Sequence, residues 1–304
     1  MAPAFAGVTV MGCSGGQAIP PHGIISNNPC IDNILAEIAV PGQIAAISHY
    51  SHDTEGGSAP LAWARGIPAV GTTAEEIIAA TPRLVLTGNL ASSGTHAALA
   101  KAGIRTVAIG VPATLAENDA QIRLIAKAIG RAAAGEALIR NITVPLKTRQ
   151  RGTALIWQAG GFVAGKGTLQ DELLTRAGYA NAAAGYGLKQ WDSLPLEAML
   201  RNPPDVIFMP LSGAGDEGRT LEARASVLRH LKATHVVDFP DKLLFCGGPT
   251  VARVMEILKR SAKNPARHCE ERSDAAIQSP LDSMDCRASL AKTNGAGLLQ
   301  AALK

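Results

Sequence analysis

The sequence predicts an α/β protein with two lobes, each built on a mostly parallel central sheet, joined by one long helix. Three observations carry this. Short β-rich runs alternate with amphipathic stretches along most of the 304 residues, which is the pattern of parallel α/β layers. The length exceeds one ordinary domain and falls short of three. The third observation is an internal repeat: Glu75 and Glu197 each open a helical turn or two, with Pro82 and Pro204 seven residues on, before the buried runs Leu84-Val-Leu and Val206-Ile-Phe. Hydrophobic residues make up 47% of the chain but aromatics only 4%, so the core is aliphatic, which suits α/β packing.

Strands are expected at 23–26, 44–48, 83–87 and 105–109 in the first lobe, and at 153–158, 205–209 and 235–238 in the second. Helices fall between them at 31–38, 74–80, 95–102, 169–177, 196–202, 221–231 and 251–259. One segment breaks the rhythm. Thr114-Leu-Ala-Glu117 is a capping box, and Leu115, Ile122, Ile125, Ile129, Leu138 and Ile142 recur near helical spacing until Pro145. At 1.5 Å per residue such a run reaches about 40 Å, the length of a strut between lobes, with Gly130 and Gly135 as points where it can bend; two consecutive helices in one domain are the other reading. The expected divisions are residues 1–22, a signal-like or disordered N-terminus; 23–112, the first lobe; 113–145, the linking helix; 146–262, the second lobe; and 263–304, an atypical, disordered tail.

The ends differ from the body. The run up to Cys13 is apolar and uncharged, and Val10-Met11-Gly12-Cys13 resembles the lipobox of bacterial lipoproteins, although no Lys or Arg precedes it. Export to the periplasm through an atypical or truncated signal is the expectation, with lipidation of Cys13 left open. From Lys263 onward the text has neither periodicity, and it resembles a translated dispersed repeat that replaced the original C-terminus. The five cysteines at 13, 30, 246, 269 and 286 are odd in number and widely spaced, so spacing indicates neither a zinc site nor a disulfide framework. A net charge of +4 with no basic block argues against nucleic acid as a partner.

Two motifs invite a chemical reading. Gly160-Gly-Phe-Val-Ala-Gly165-Lys166-Gly-Thr168 nearly spells a phosphate-binding loop, but Gly167 stands where a magnesium-coordinating hydroxyl belongs. His49-Tyr-Ser-His52-Asp53 gathers two imidazoles and a carboxylate, the basis of a rival reading as a zinc or manganese receptor. Neither G-x-G-x-x-G after the first strand nor a G-x-S-x-G elbow is present, which weighs against a two-lobed nucleotide-sugar enzyme. No catalytic, metal or cofactor site is expected.

Ile24-Ile-Ser-Asn-Asn-Pro29 before a helix, Ile44-Ala-Ala-Ile-Ser-His-Tyr50-Ser, the Glu75 to Leu86 unit, the strut, and Gly167 through Asn181 together resemble the substrate-binding proteins of ABC importers for cobalamin and ferric siderophores, the helical-backbone class of periplasmic receptors. The resemblance runs from Gly23 to Lys259. It implies a periplasmic monomer whose lobes hold a metal chelate between them and pass it to a permease dimer. The membrane would be met only through the permease or a lipid on Cys13. It also implies that one glutamate per lobe pairs with permease arginines; Glu75 and Glu197 match, with Glu76 as the competitor of Glu75. Tyr50 matches a corrin-contacting position, and Asn28, Trp63, Asn89, Phe162 and Phe245 are the other candidate ligand contacts. No tryptophan lies between Val70 and Glu75, a departure from cobalamin binders. Cobalamin and ferric siderophores are the expected cargo, with haem behind them.

Overall fold

The computed structural model describes residues 19–54, 57–88, 93–142, 144, 150–211, 226–244 and 246–261. The first lobe begins with β1 (Ile24–Ser26), α1 (Pro29–Ile38), β2 (Ile44–Ser48), α2 (Leu61–Ala64) and β3 (Ala69–Val70), followed by α3 (Ala74–Ala79), β4 (Leu84–Gly88), α4 (Ser93–Lys101) and β5 (Thr106–Ile109). Its five strands are all parallel in the order β3-β2-β1-β4-β5. The order reverses between β1 and β4, and in open α/β sheets ligands bind beyond the strand ends at such a reversal.

Helices α5 (Leu115–Ala128) and α6 (Ala132–Asn141) lead into the second lobe. Its elements are β6 (Thr153–Ile156), β7 (Phe162–Ala164), α7 (Leu169–Ala177), β8 (Ala180–Asn181), β9 (Trp191–Ser193), α8 (Leu196–Arg201), β10 (Val206–Met209), β11 (His235–Asp238) and α9 (Thr250–Arg260). Four parallel strands run in the order β11-β10-β6-β8, reversing between β6 and β10. β7 and β9 form a separate antiparallel ribbon.

The internal repeat is realised as two matched units, α3 to β4 and α8 to β10, with Glu75 and Glu197 each in a first helical turn. The strands anticipated from the sequence are present within one or two residues, while the short β3, β8 and β7–β9 ribbon carry too few residues for a period to show. Residues 226–230 are helical, and the rest of the expected 221–231 helix lies outside the described residues except for Leu231.

The span expected as a single strut is two helices. Gly130 adopts φ 73°, in the left-handed region where glycine is unpenalised, and turns the chain back on itself. A Cβ at Gly135 would collide with Ala126, so glycine there lets α6 close on α5. An exposed Arg123–Glu136 pair at 2.7 Å crosses the same seam. The Thr114 hydroxyl accepts the Glu117 N–H at 3.1 Å, as the capping box requires.

A single buried cluster serves both lobes. Ile31, Ile34, Leu35 and Ile38 of α1, spaced to share one face, join Ile122 and Ile125 of α5, Leu173 and Leu174 of α7, and Val254 and Leu258 of α9. Smaller clusters lie under each sheet, one around Ile77 and Leu99 and one around Trp157 and Met199. Polar ties reinforce the shared core. Glu172 of α7 accepts from the first N–H of α5, that of Leu115, at 2.7 Å, and Asn118 of α5 accepts from Gly248 N at 2.5 Å.

The cysteines require a correction. Cys30, in the first turn of α1, is bonded to Cys246, in the loop before α9, with Cα atoms 5.0 Å apart. The partners are 216 residues apart, and spacing rules see only local pairs, so this bridge left no trace in the sequence pattern.

Among the described residues, one ionisable side chain is wholly buried. Asp32 of α1 accepts from Ser48 N at 3.0 Å and from the Ser51 hydroxyl at 2.6 Å, which fixes the turn after β2. Burial pushes its carboxyl from the ordinary 3.8 up to about 7, with hydrogen bonds from Ser26, Ser51 and Ser48 opposing the shift.

Two outcomes are expected. Replacing both Cys30 and Cys246 by Ala removes a long covalent loop and should cost roughly 2–5 kcal/mol, read as a lower denaturant midpoint with a larger m, because the unlinked unfolded chain is more expanded; an unchanged midpoint and m would show the bond does not stabilise the fold. The Asp32 shift favours the folded state while the carboxyl keeps its proton. That stability is full below about 4 and is lost as pH rises toward about 7. Urea titrations from pH 4 to pH 8 should show stability declining over that window, and Asp32→Asn should flatten the decline.

Candidate functional site

Both sheets direct the C-terminal ends of their strands, and the loops that follow, to the region where the lobes meet. A cavity of about 180 Å³ is enclosed there by Val111–Ala113 after β5, the start of α7 from Gly167 to Gln170, Gln190 and Trp191 of the ribbon, and Leu244, Cys246 and Gly247. A smaller one of about 40 Å³ adjoins it, lined by Asn28, Cys30, Gly88, Val111, Gln121 and Gly247 among others. Val111, Pro112 and Gly247 line both, and the disulfide contributes one half-cystine to each. Ligand pockets usually measure roughly 300–1,000 Å³, so these cavities would take only part of a ligand of that kind.

The lining is uncharged: its polar side chains are Asn, Gln and Thr. Gln121 donates to Gly110 O at 2.6 Å and leaves its buried Oε1 without a hydrogen-bond partner. Several large apolar side chains on or after strand ends are held in solvent. Tyr50 after β2 is 49% exposed, Val111 after β5 58%, Phe162 beyond β6 47%, and Leu211 after β10 47%; Trp191, on the cavity itself, is 45% exposed. Such side chains at strand ends are an expense in a protein without a partner for them.

The six anticipated contacts separate. Asn28 lines the smaller cavity, while its Oδ1 caps α1 by accepting from Cys30 N at 2.9 Å and Ile31 N at 3.4 Å. Tyr50 sits in a short 3-10 turn, its ring 4.0 Å from that of His49. Phe162 opens β7 after two left-handed glycines, Gly160 and Gly161. Trp63 of α2 is partly buried against the main core and lines neither cavity. Asn89 and Phe245 lie outside the described residues, as do Cys13 and the 263–304 tail. Trp191, Val111, Leu211 and Gln190 were missed; Trp191 stands alone in a polar stretch where no periodicity marks it.

On the outer surface, Glu75 and Glu76 differ. Glu76 accepts from Gly71 N at 3.0 Å, whereas Glu75 is exposed with no bond among the described residues. Glu197 is likewise exposed, in the first turn of α8.

The phosphate-loop likeness dissolves in the fold. β7 interrupts the run, and its N–H groups are already taken: Gly161 by Gln158 O, Gly165 by Gln190 O at 2.8 Å, and Gly167 by Asp171 at 3.1 Å. His52 bonds Ile67 O at 3.0 Å, and among the described residues no three His, Cys, Asp or Glu side chains gather as a metal site.

Comparison with known proteins places this geometry. No curated protein matches the sequence significantly. Among solved structures, the periplasmic heme-binding protein RhuT from Roseiflexus sp. RS-1 in apo form is 21% identical, with TM-score 0.61 over 80% of this chain and 99% of that one. A periplasmic heme-binding protein from Pseudomonas aeruginosa is 19% identical, with TM-score 0.60 over 81% and 94%. HutB of Vibrio cholerae, another periplasmic heme-binding protein, is 17% identical, with TM-score 0.64 over 80% and 99%. At these identities the likeness establishes the fold. The sequence model of the periplasmic binding protein family matches residues 24–240, and with most of the chain so matched, the protein belongs to that family.

Proposed function

We propose that the protein is the periplasmic receptor of an ABC importer, capturing a metal chelate between its lobes and delivering it to a permease dimer without making or breaking a bond. The observation that carries this reading is an uncharged cavity edged by the exposed side chains of Val111 and Trp191, with Tyr50, Phe162 and Leu211 also exposed on segments that follow strand ends. A flat, largely apolar chelate would cover such faces, and aromatic rings suit it because they offer broad contact at little conformational cost. The heme-binding neighbours support a planar iron chelate, so haem stands beside cobalamin and ferric siderophores as cargo. Asn28 adds a polar contact on the floor, and Asn89 and Phe245 extend the set.

The shared core and the disulfide limit how far the lobes can separate, so the site is largely preformed and little ordering entropy is lost on binding. Glu75 and Glu197 are the docking charges, acting on orientation and association rate more than on affinity. The receptor works as a monomer, and Cys13 would anchor it if lipidated. Among the described residues no helix is long and apolar enough to cross a membrane.

Thermal unfolding of residues 23–304 with haem, cyanocobalamin, several ferric siderophores, zinc and manganese tests the cargo. A ligand at a hundredfold excess over its Kd adds about 2.7 kcal/mol, a shift of about 4 °C for a chain this size. A shift with one chelate alone supports the reading; a shift with bare metal alone moves the assignment to His49–Asp53. For docking, the double variant Glu75→Ala with Glu197→Ala should bind that chelate as the parent does while losing most stimulation of permease ATPase in reconstituted vesicles. Undiminished stimulation would remove both glutamates from the interface.

A further inference from the structure

The ribbon that carries Trp191 also carries an unexplained pair of cations. β7 and β9 run antiparallel with Ala164 opposite Trp191. Gly165 N donates to Gln190 O at 2.8 Å and Gln190 Nε2 donates to Gly167 O at 3.2 Å, so Lys166 is held alongside the segment that begins with Lys189. Like charges side by side on paired strands repel. Both lysines are exposed, and among the described residues neither ammonium has a carboxylate partner.

The neighbouring acids are otherwise engaged. Asp171 accepts from Gly167 N at 3.1 Å and from Asn181 at 2.9 Å. Asp192 lies on the strand face opposite Trp191, and its Oδ1 accepts from Ser193 N at 2.9 Å. Each lysine directly precedes a residue of the cavity wall, Gly167 or Gln190, and that wall has no charge of its own. The two lysines therefore set positive charge beside an uncharged wall, in the same ribbon as the exposed indole.

We propose that Lys166, Lys189 and Trp191 form one subsite of the cleft, in which the indole packs on the apolar face of a flat chelate and the two ammonium groups receive its peripheral carboxylates. This deepens the receptor reading and rests on it. It narrows the cargo to a carboxylated macrocyclic chelate and disfavours cobalamin, whose corrin carries amides at its edge. Charge-assisted hydrogen bonds are the stronger kind, and two at a solvated rim amount to about a tenfold effect on affinity.

The test compares the parent protein with Lys166→Gln plus Lys189→Gln, titrated by absorbance with ferric protoporphyrin, its dimethyl ester and cyanocobalamin. Both lysines are exposed, so the variant should unfold at the parent temperature. The expected result is about tenfold weaker binding of ferric protoporphyrin by the variant, equal binding of the ester by both proteins, and a parent affinity for the free acid that falls with added salt. Equal binding of the free acid by both proteins, or an equal loss for the ester, overturns the subsite. Binding of cyanocobalamin alone overturns it while leaving the receptor reading in place. If none of the three binds the parent, the subsite is overturned, and the receptor reading falls with it only if the siderophores of the thermal panel also fail to bind.

Discussion

Parallel strands must be covered on both faces, and that constraint organises this molecule. Two short-stranded sheets could have been covered by two independent sets of helices, giving lobes free to move apart. Here α1, α5, α7 and α9 pack into one cluster, so the helices that shield one sheet also press on those that shield the other. The consequence appears at the opposite edge of each sheet. Strand ends and their loops meet across a narrow floor, and the polar groups there are fixed by the helices behind them, as Asn28 is by its cap of α1.

Much of this was legible in the sequence where a period or a cap could express it. The strands at Ile44–Ser48 and His235–Asp238 and the helix at Leu169–Ala177 fall where the pattern places them, and the repeat around Glu75 and Glu197 announces two related halves. The connection between the lobes was harder. Helical spacing continues through Gly130, so the pattern does not tell one helix from two that fold back; the decision lies in the left-handed backbone at Gly130 and the close approach at Gly135, which are tertiary facts. The ribbon escaped for a different reason, since its three-residue strands are set by pairing rather than by a hydrophobic pattern of their own.

The site was legible by resemblance more than by chemistry. Asn28, Tyr50 and Phe162 do stand on the strand-end side of the sheets, because the loop after a parallel strand has nowhere else to go. Trp63 of the four-residue α2 instead packs, partly buried, against the core. The side chains that do line or flank the cavity, Val111 and Trp191 among them, are ordinary in sequence and gain meaning only from what the fold sets beside them.

The bond between Cys30 and Cys246 also bears on how the protein comes into being. One partner is made early in synthesis and the other only after more than two hundred further residues, so the emerging chain carries a free thiol until both lobes have been translated. Oxidation can begin only once residue 246 has been made, and the bond persists only in a compartment in which thiols do not stay reduced. A chain cut short anywhere before residue 246 would leave Cys30 without this partner. Full-length synthesis and an oxidising destination are thus both written into one covalent link.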